Sequence, residues 1–263
     1  MRYSMLFMFL CLSTLRVSAQ AIDRVIVERY YVQPGASASE PPLVTYRVFI
    51  DLAADHELQM VYGDARHQLK FRTTADFYND KLNGTEYGDR IAVDRLNTFP
   101  LALDSWLTIG AASKEHMGVP LALDTDGSIL ECPPYAGYDL GSAGPRPTPL
   151  CSADGLLKVP EIKEVVPFKF NTEYLSTVRG NEIESTIGAW GVLGGTKGVT
   201  DDNVVLIAQL TTTGDLFFSL NLQIETPDHQ AVRYVWSDPV EGEILFDGLT
   251  YGKPLKSTVA ERY

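Results

Sequence analysis

The chain has 263 residues, of which 22 are basic and 34 are acidic, so its formal net charge is -12 at neutral pH. Such a surface repels nucleic acid and anionic membranes, and no cluster of Lys and Arg interrupts it. Nucleic acid is therefore excluded as a partner, and the length suffices for one large β domain or two small ones.

The N-terminus has the pattern of a secretory signal peptide. An apolar stretch, Met5 to Leu15, is too short to span a bilayer and leads to small residues at Ala19 and Ala21, which suit cleavage. A short membrane anchor is one alternative. A lipoprotein signal is another, but it would need a small residue where Leu10 stands. We predict that residues 1–19 are removed and that the mature chain has no membrane span and is secreted or held at the cell envelope or surface.

Runs of alternating residues predict strands in the first part of the mature chain, because branched and aromatic residues with period two are typical of strands. In the second run, the face with Val48 and Ile50 is apolar, whereas the face with Arg47 and Phe49 is mixed. This pattern predicts an antiparallel sheet that packs on one side only. The runs are Val25–Val32, Leu43–Leu52, Leu58–Gly63 and Leu69–Thr74.

Helical pattern is scarce along the chain. Ala75–Leu82 fits a short helix that begins after a Thr74 cap and turns Phe77 inward.

A short acidic motif, LDTDGSIL, occupies residues 123–130. Asp124 and Asp126 alternate as calcium ligands do, but an EF-hand loop has its glycine in sixth place, and here Gly127 is fourth from Asp124. An Asp-Gly pair between alternating runs also indicates a tight hairpin turn. The turn is the simpler interpretation and a calcium site is the alternative, so calcium is the cofactor that the sequence suggests.

Two cysteines remain once the signal peptide is removed, Cys132 and Cys151. In an oxidising compartment they predict one disulfide, with free thiols as the alternative. The segment between them is rich in Pro and Gly and contains Tyr135 and Tyr138. A disulfide at the base of this loop would restrict its conformations and lower the entropy that the loop loses when it binds a partner, so both tyrosines are candidate binding residues. The other interpretation is that the loop covers an exposed strand edge.

A second glycine-rich stretch, Gly188–Thr200, predicts a surface loop. It does not match a phosphate-binding loop, so nucleotide binding is rejected. Trp190 could stack on a sugar ring or a partner side chain, or it could plug the end of the fold. Asp201 and Asp202 follow and could bind sugar hydroxyls or a cation, although acids at such a place are usually solvated.

The clearest supersecondary pattern comes late, at Asn203–Glu225. Two strand-like halves flank residues 213–215 (TGD), where a glycine at positive φ would close a tight hairpin. Both faces of the first half are largely apolar, which predicts a hairpin at the centre of a sandwich. Val232–Trp236 and Glu243–Phe246 predict further short strands.

These features predict an all-β fold, an antiparallel β-sandwich of jelly-roll or immunoglobulin-like type that spans residues 20–263. It is either one elaborated domain or two small ones divided within residues 133–160.

Four stretches carry a resemblance to known sequences: TYRVFIDL, LQMVYGD, LALDSWLTIG and NVVLIAQLTTTGDLFFSLNLQI. Their combination is similar to stretches in uncharacterised secreted proteins and surface modules of marine and environmental bacteria. The residues are mainly core and turn positions. The resemblance therefore implies a secreted β-sandwich and no particular activity.

No catalytic motif is present in the sequence. The four histidines have turn-like or polar neighbours, without a nucleophile elbow or a zinc-protease helix, and we expect them at the surface. We therefore expect an exported non-catalytic protein that has a structural role at the cell surface or binds a glycan or another protein. The alternative is a secreted polysaccharide hydrolase that uses paired carboxylates. The histidines are His56, His67, His116 and His229.

Overall fold

The computed structural model describes residues 20–35, 37–96, 103–125, 154–170 and 180–252. Several sequence predictions lie outside these ranges: the signal peptide at residues 1–19, Asp126, Tyr135, Tyr138, and the pairing of Cys132 with Cys151.

The described residues form an all-β fold, as the alternating runs predicted. The strands are β1 (Ile22–Gln33), β2 (Leu43–Leu52), β3 (Glu57–Tyr62), β4 (Leu69–Thr73), β5 (Trp106–Leu107), β6 (His116–Gly118), β7 (Leu156–Lys158), β8 (Val166–Phe168), β9 (Glu182–Ser185), β10 (Ala189–Thr196), β11 (Val204–Thr212), β12 (Leu216–Ser219), β13 (Leu222–Glu225), β14 (Ala231–Val235), β15 (Glu243–Leu245) and β16 (Thr250–Tyr251). The helical segments are single 3-10 turns at Gly88–Arg90, Val93–Arg95, Leu121–Leu123 and Asp247–Leu249.

The strands form four sheets. Sheet A has the order β1-β2-β11-β5, sheet B the order β15-β14-β13-β3-β10-β8, sheet C the order β16-β12-β4-β9, and sheet D pairs β6 with β7. Neighbouring strands are antiparallel except β14 and β15, which are parallel. The antiparallel β-sandwich is therefore confirmed.

One hydrophobic core joins sheets A, B and C. Ile50 and Ile207 enter it from sheet A, Leu58 from sheet B, and Leu69 and Phe71 from sheet C, all with no exposed surface. A smaller cluster around Phe49, Trp106 and Leu206 lies on the other face of sheet A.

The mixed face of β2 does not face solvent, contrary to the sequence prediction. Arg47 on that face is only 2% exposed, because other segments of the chain cover it. Its Nε donates to Gln209 Oε1 at 3.0 Å, one Nη donates to the Gly155 carbonyl at 3.1 Å, and the guanidinium lies 3.5 Å from the centre of the Tyr30 ring. These contacts allow a charged side chain to be buried.

The predicted hairpin at Asn203–Glu225 is also not formed. The first half is β11 of sheet A, and the second half is two strands, β12 of sheet C and β13 of sheet B. The chain therefore crosses from sheet A to sheet C at residues 213–215. Gly214 is required there by a close approach rather than by a positive φ, since a Cβ would lie 2.4 Å from the Ala75 backbone nitrogen. The apolar character of both faces of β11 reflects its full burial inside sheet A.

Ala75–Leu82 does not form the predicted helix. Phe77 makes an isolated bridge to Thr212 and is 4% exposed, so its inward direction is confirmed while the helix is wrong. The backbone N–H groups of Phe77 and Tyr78 donate to Gly180 and Thr211 carbonyls, and these tertiary bonds replace the helical ones.

Strand β8 forms one edge of sheet B. It has three exposed residues, and the central one, Pro167, pairs with Trp190 of β10.

Candidate binding groove

A groove of about 340 Å³ lies on sheet C, between its strands and the segment that follows β14. The volume is within the range of small-ligand sites, roughly 300–1,000 Å³. Its lining combines aromatic rings with basic and hydroxyl side chains: Lys70, Arg72, Phe217, Phe218, Ser219, Trp236, Thr250, Tyr251 and Gly252.

The groove follows from the register of sheet C. On the outer face, Phe217 of β12 is opposite Arg72 of β4, and Ser219 is opposite Lys70. Strand β16 pairs only with Phe218 and Ser219, and therefore stops short of Phe217. The Phe217 ring is left half-buried at the floor of the groove.

A glycine fixes one side of this floor. Gly252 has a φ of +75°, and a Cβ there would lie 2.6 Å from Phe217 Cδ1. Both the backbone conformation and the close approach favour glycine. The ring of Tyr251 stacks on Phe218, with 5.4 Å between the ring centres.

Trp236 also lines the groove. Its Nε1 donates to the Gln68 carbonyl at 3.2 Å, and the Ser219 hydroxyl donates to the same oxygen at 3.4 Å. These bonds hold a half-buried indole beside the basic and hydroxyl side chains of the lining.

The rim of the groove carries paired charges. The Lys70 ammonium contacts Glu182 and lies 3.2 Å from Glu184 Oε2. Burial works to lower the pKa of Lys70, but the hydrogen bonds and charges of the two glutamates outweigh it and raise the pKa. The basic rim is therefore largely neutralised by strand β9.

This arrangement suits a ligand that is apolar on one face and rich in hydroxyl groups at its edge. An aromatic ring packs against apolar C–H groups, while the surrounding polar side chains donate and accept hydrogen bonds. A sugar ring has both properties.

Trp190, which the sequence suggested as a stacking residue, lies in the core. Its side chain has no exposed surface, its Nε1 donates to the Thr108 carbonyl at 2.9 Å, and its ring contacts Phe71 and Phe170. Gly188–Thr200 is also not a loop, because most of it forms β10. In this structure the Trp190 ring cannot reach a ligand, which corrects the binding prediction for that residue.

The acidic candidates lie apart from the groove. Asp201 and Asp202 are exposed in the turn before β11 and do not line the groove. Asp124 is half-buried, and its Oδ2 accepts the Gly155 N–H at 2.8 Å, so the carboxylate fixes the backbone at the start of β7.

Three of the four histidines are buried, which corrects the expectation of surface positions; only His229 is exposed. The His116 Nδ1 lies 2.9 Å from the Ser113 hydroxyl, a pairing that resembles a nucleophile and its base. Both side chains are 2% exposed or less, so no substrate reaches them.

A fully buried histidine, His67, lies between two carboxylates. Asp64 Oδ1 is 3.3 Å from its Nδ1, and Glu243 Oε2 is 3.7 Å from its Nε2. These three side chains can each offer one metal-ligating atom within 4.8 Å of the others.

No protein family, curated protein or solved structure matches the chain. In the described ranges, no helix has the length and apolar character needed to cross a bilayer.

The sequence prediction missed the groove, although one signal was present. Phe217 and Phe218 are consecutive, and neighbouring residues of a strand point to opposite faces. One of the two rings therefore had to lie on the outer side of its sheet. Trp236 could not be assigned to the same site, because its contact with Gln68 joins residues 168 positions apart.

Proposed function

We propose that the protein is an exported, non-catalytic glycan-binding protein whose site is the groove on sheet C. The observation that carries the proposal is the half-buried Phe217 ring on the groove floor, flanked by Trp236 and by the polar side chains of Lys70 and Arg72. Export rests on the signal-peptide pattern of the sequence.

The charges at the rim favour a neutral glycan. Lys70 and Arg72 lie opposite Glu184 and Glu182 in the pairing of β4 with β9, so two positive charges meet two negative ones. A strongly anionic chain would have to displace the glutamates, whereas sugar hydroxyls can bond to either charge.

The alternative of a polysaccharide hydrolase is weaker at this site. Glu182 and Glu184 are adjacent on one face of β9, as a carboxylate pair would require. Burial works to raise the pKa of Glu182, but the hydrogen bond from Lys70 and the charge of Lys70 outweigh it and lower the pKa. A carboxylate in this state has no proton to give to a leaving group.

Replacement of the floor ring tests the proposal. Phe217→Ala removes the stacking surface and should weaken binding of a neutral oligosaccharide at least about tenfold, a change of about 1.4 kcal/mol. A neutral-glycan array selects the ligand, and calorimetry measures its affinity for the wild type and the variant.

Phe168→Ala is the matched control, because Phe168 is 62% exposed on sheet B and does not line the groove. It should bind as the wild type does. Equal affinity of Phe217→Ala and wild type would remove the groove as the site. If the wild type releases sugar fragments from a polysaccharide and Glu182→Gln does not, the protein is a hydrolase instead.

A further inference from the structure

The cluster of Asp64, His67 and Glu243 is built by segments distant in sequence. Asp64 and His67 lie in the turn between β3 and β4, and Glu243 begins β15. Asp64 Oδ1 accepts the N–H groups of Arg66 and His67, each at 2.8 Å. Glu243 Oε2 accepts the Val240 N–H at 3.1 Å, so backbone bonds orient both carboxylates.

The hydrogen bonds of His67 define which ring nitrogen carries a proton. Its Nε2 lies 3.2 Å from the Asp238 carbonyl, which can only accept, so Nε2 is the donor. In a neutral ring, Nδ1 then presents a lone pair. That atom is buried and has no hydrogen-bond partner, and it faces a negatively charged Asp64 oxygen.

This arrangement is unfavourable unless a positive charge lies between the two atoms. A lone pair directed at a carboxylate in a buried setting is repulsive, and orphaned buried polar atoms are rare. Two further buried atoms nearby lack partners, the Tyr62 hydroxyl and Asn221 Oδ1, and Asn221 Nδ2 donates to the His67 carbonyl. Three buried polar atoms of neighbouring residues therefore lack a hydrogen-bond partner.

The separation of 3.3 Å between Nδ1 and Asp64 Oδ1 matches two ligands of one metal ion. Zinc lies about 2.0 Å from imidazole nitrogen and carboxylate oxygen, and two such ligands at a tetrahedral angle are about 3.3 Å apart. A charge-assisted hydrogen bond would be shorter, about 2.7–2.9 Å.

We propose that Asp64, His67 and Glu243 bind a divalent transition-metal ion, with zinc as the best match. His67 Nδ1 and Asp64 Oδ1 are its first two ligands. Glu243 Oε2 lies 3.7 Å from Nε2, at the other edge of the ring, so the Glu243 carboxylate rotates towards the ion to become the third ligand. The two carboxylates balance its charge, and an imidazole nitrogen favours zinc over calcium or magnesium. The Asp64 side chain is 39% exposed, which leaves a path for the ion and for a water ligand. The bound ion fastens the first residue of β15 to the turn before β4. This site shares no residue with the lining of the glycan groove or with the Asp124 motif.

Metal content and thermal stability test the site. The intact protein, stripped with a chelator and dialysed against Zn²⁺, should retain one equivalent by elemental analysis, and its melting temperature should rise, since an ion that binds only the folded state stabilises it. Calcium should give neither effect.

Glu243→Gln and Asp64→Asn keep the size of each side chain and remove one ligand charge. Each should weaken zinc binding at least about a hundredfold, because even outer-shell changes cost about 10–100-fold. Glu241→Gln, an exposed neighbour, is the control and should bind as the wild type does.

Two results would overturn the proposal. In the first, the wild type retains no zinc, which would mean that a proton on His67 or a water molecule occupies the gap. In the second, both ligand variants bind zinc with unchanged affinity, which would place the ion elsewhere. Thermal melts of the metal-free variants identify any that fail to fold, and the zinc affinity of the other variant then decides.

Discussion

At the residue scale, Asp104 is a carboxyl group with no exposed surface. Its Oδ1 accepts the Asp80 N–H at 2.7 Å and its Oδ2 accepts the Thr85 N–H at 2.9 Å, so the side chain closes the turn between these residues. Burial raises the pKa of Asp104 to about 8, although these hydrogen bonds lower it. The group therefore keeps its proton in the folded chain at pH values where it would lose it after unfolding.

This shift makes stability depend on pH with a definite sign. Between about pH 4 and pH 8 the unfolded chain releases the Asp104 proton and the folded chain retains it, so the free energy of unfolding falls as pH rises, by up to about 1.4 kcal/mol per unit. Asp104→Asn removes this dependence and, by losing one acceptor, should cost about 1–3 kcal/mol at pH 5. Because the wild type loses up to about 4 kcal/mol of unfolding free energy between pH 5 and pH 8, the variant should be as stable as the wild type, or more stable, by pH 8.

Urea unfolding of both proteins at pH 5, 6, 7 and 8 measures this change. Asp94→Asn, at an exposed position, should follow the wild type throughout. If the free energy of unfolding of Asp104→Asn differs from that of the wild type by the same amount at every pH, the pKa of the Asp104 carboxyl is not raised in the folded chain.

A second residue-scale argument concerns the cleavage position. Ala21 is 1% exposed, its N–H donates to the Tyr234 hydroxyl at 2.9 Å, and its carbonyl accepts the Ala53 N–H at 3.0 Å. Cleavage after Ala21 would remove these bonds and place a new ammonium group on the fully buried Ile22. We predict that signal peptidase cuts after Ala19.

The mass of the exported protein checks this prediction. It should correspond to a chain that begins at the exposed Gln20. A mature chain that begins at Ile22 would contradict it, and so would a chain that keeps its leader after export.

At the scale of elements, the sequence predicted strands well and their partners poorly. The predicted run at Leu43–Leu52 coincides with β2, and Leu69–Thr74 exceeds β4 by one residue. Alternation is a local property, so it is visible in the sequence. Sheet membership is not local: the strong turn signal at residues 213–215 is a change of sheet rather than a hairpin.

The difference between local and non-local properties also explains why the sequence did not predict the groove. The sequence suggests Trp190 for binding because glycines surround it, yet three of these glycines and Trp190 itself belong to β10, and the indole enters the core. The groove needs β4, β12, β16 and Trp236 together, and no local pattern links these four segments. The proposed metal site likewise joins His67 to a glutamate 176 positions later, Glu243.

At the scale of the whole molecule, sheets A, B and C share one hydrophobic core. Separate units would each need a core of their own. We therefore expect the described ranges to unfold in one cooperative transition in denaturant, as single domains usually do.

Two probes together test this cooperativity. Far-ultraviolet circular dichroism reports the sheets, while the fluorescence of Trp106 reports the cluster on the far face of sheet A and that of Trp190 reports the shared core. Variants in which Trp106 or Trp190 is the sole remaining tryptophan, with Trp236 also replaced, should give the same midpoint as circular dichroism. Two separated midpoints would indicate two domains.

The edge strand β8 has a consequence for self-association. A sheet can be extended only where its edge strand offers free backbone donors and acceptors to a strand of another chain. Such edge-to-edge pairing is how soluble chains assemble into fibrils. Strand β8 is three residues long and its central residue is Pro167, which has no N–H to donate. A second copy that docks along this edge finds few backbone donors with which to extend the sheet, so we expect sheet B not to grow at β8.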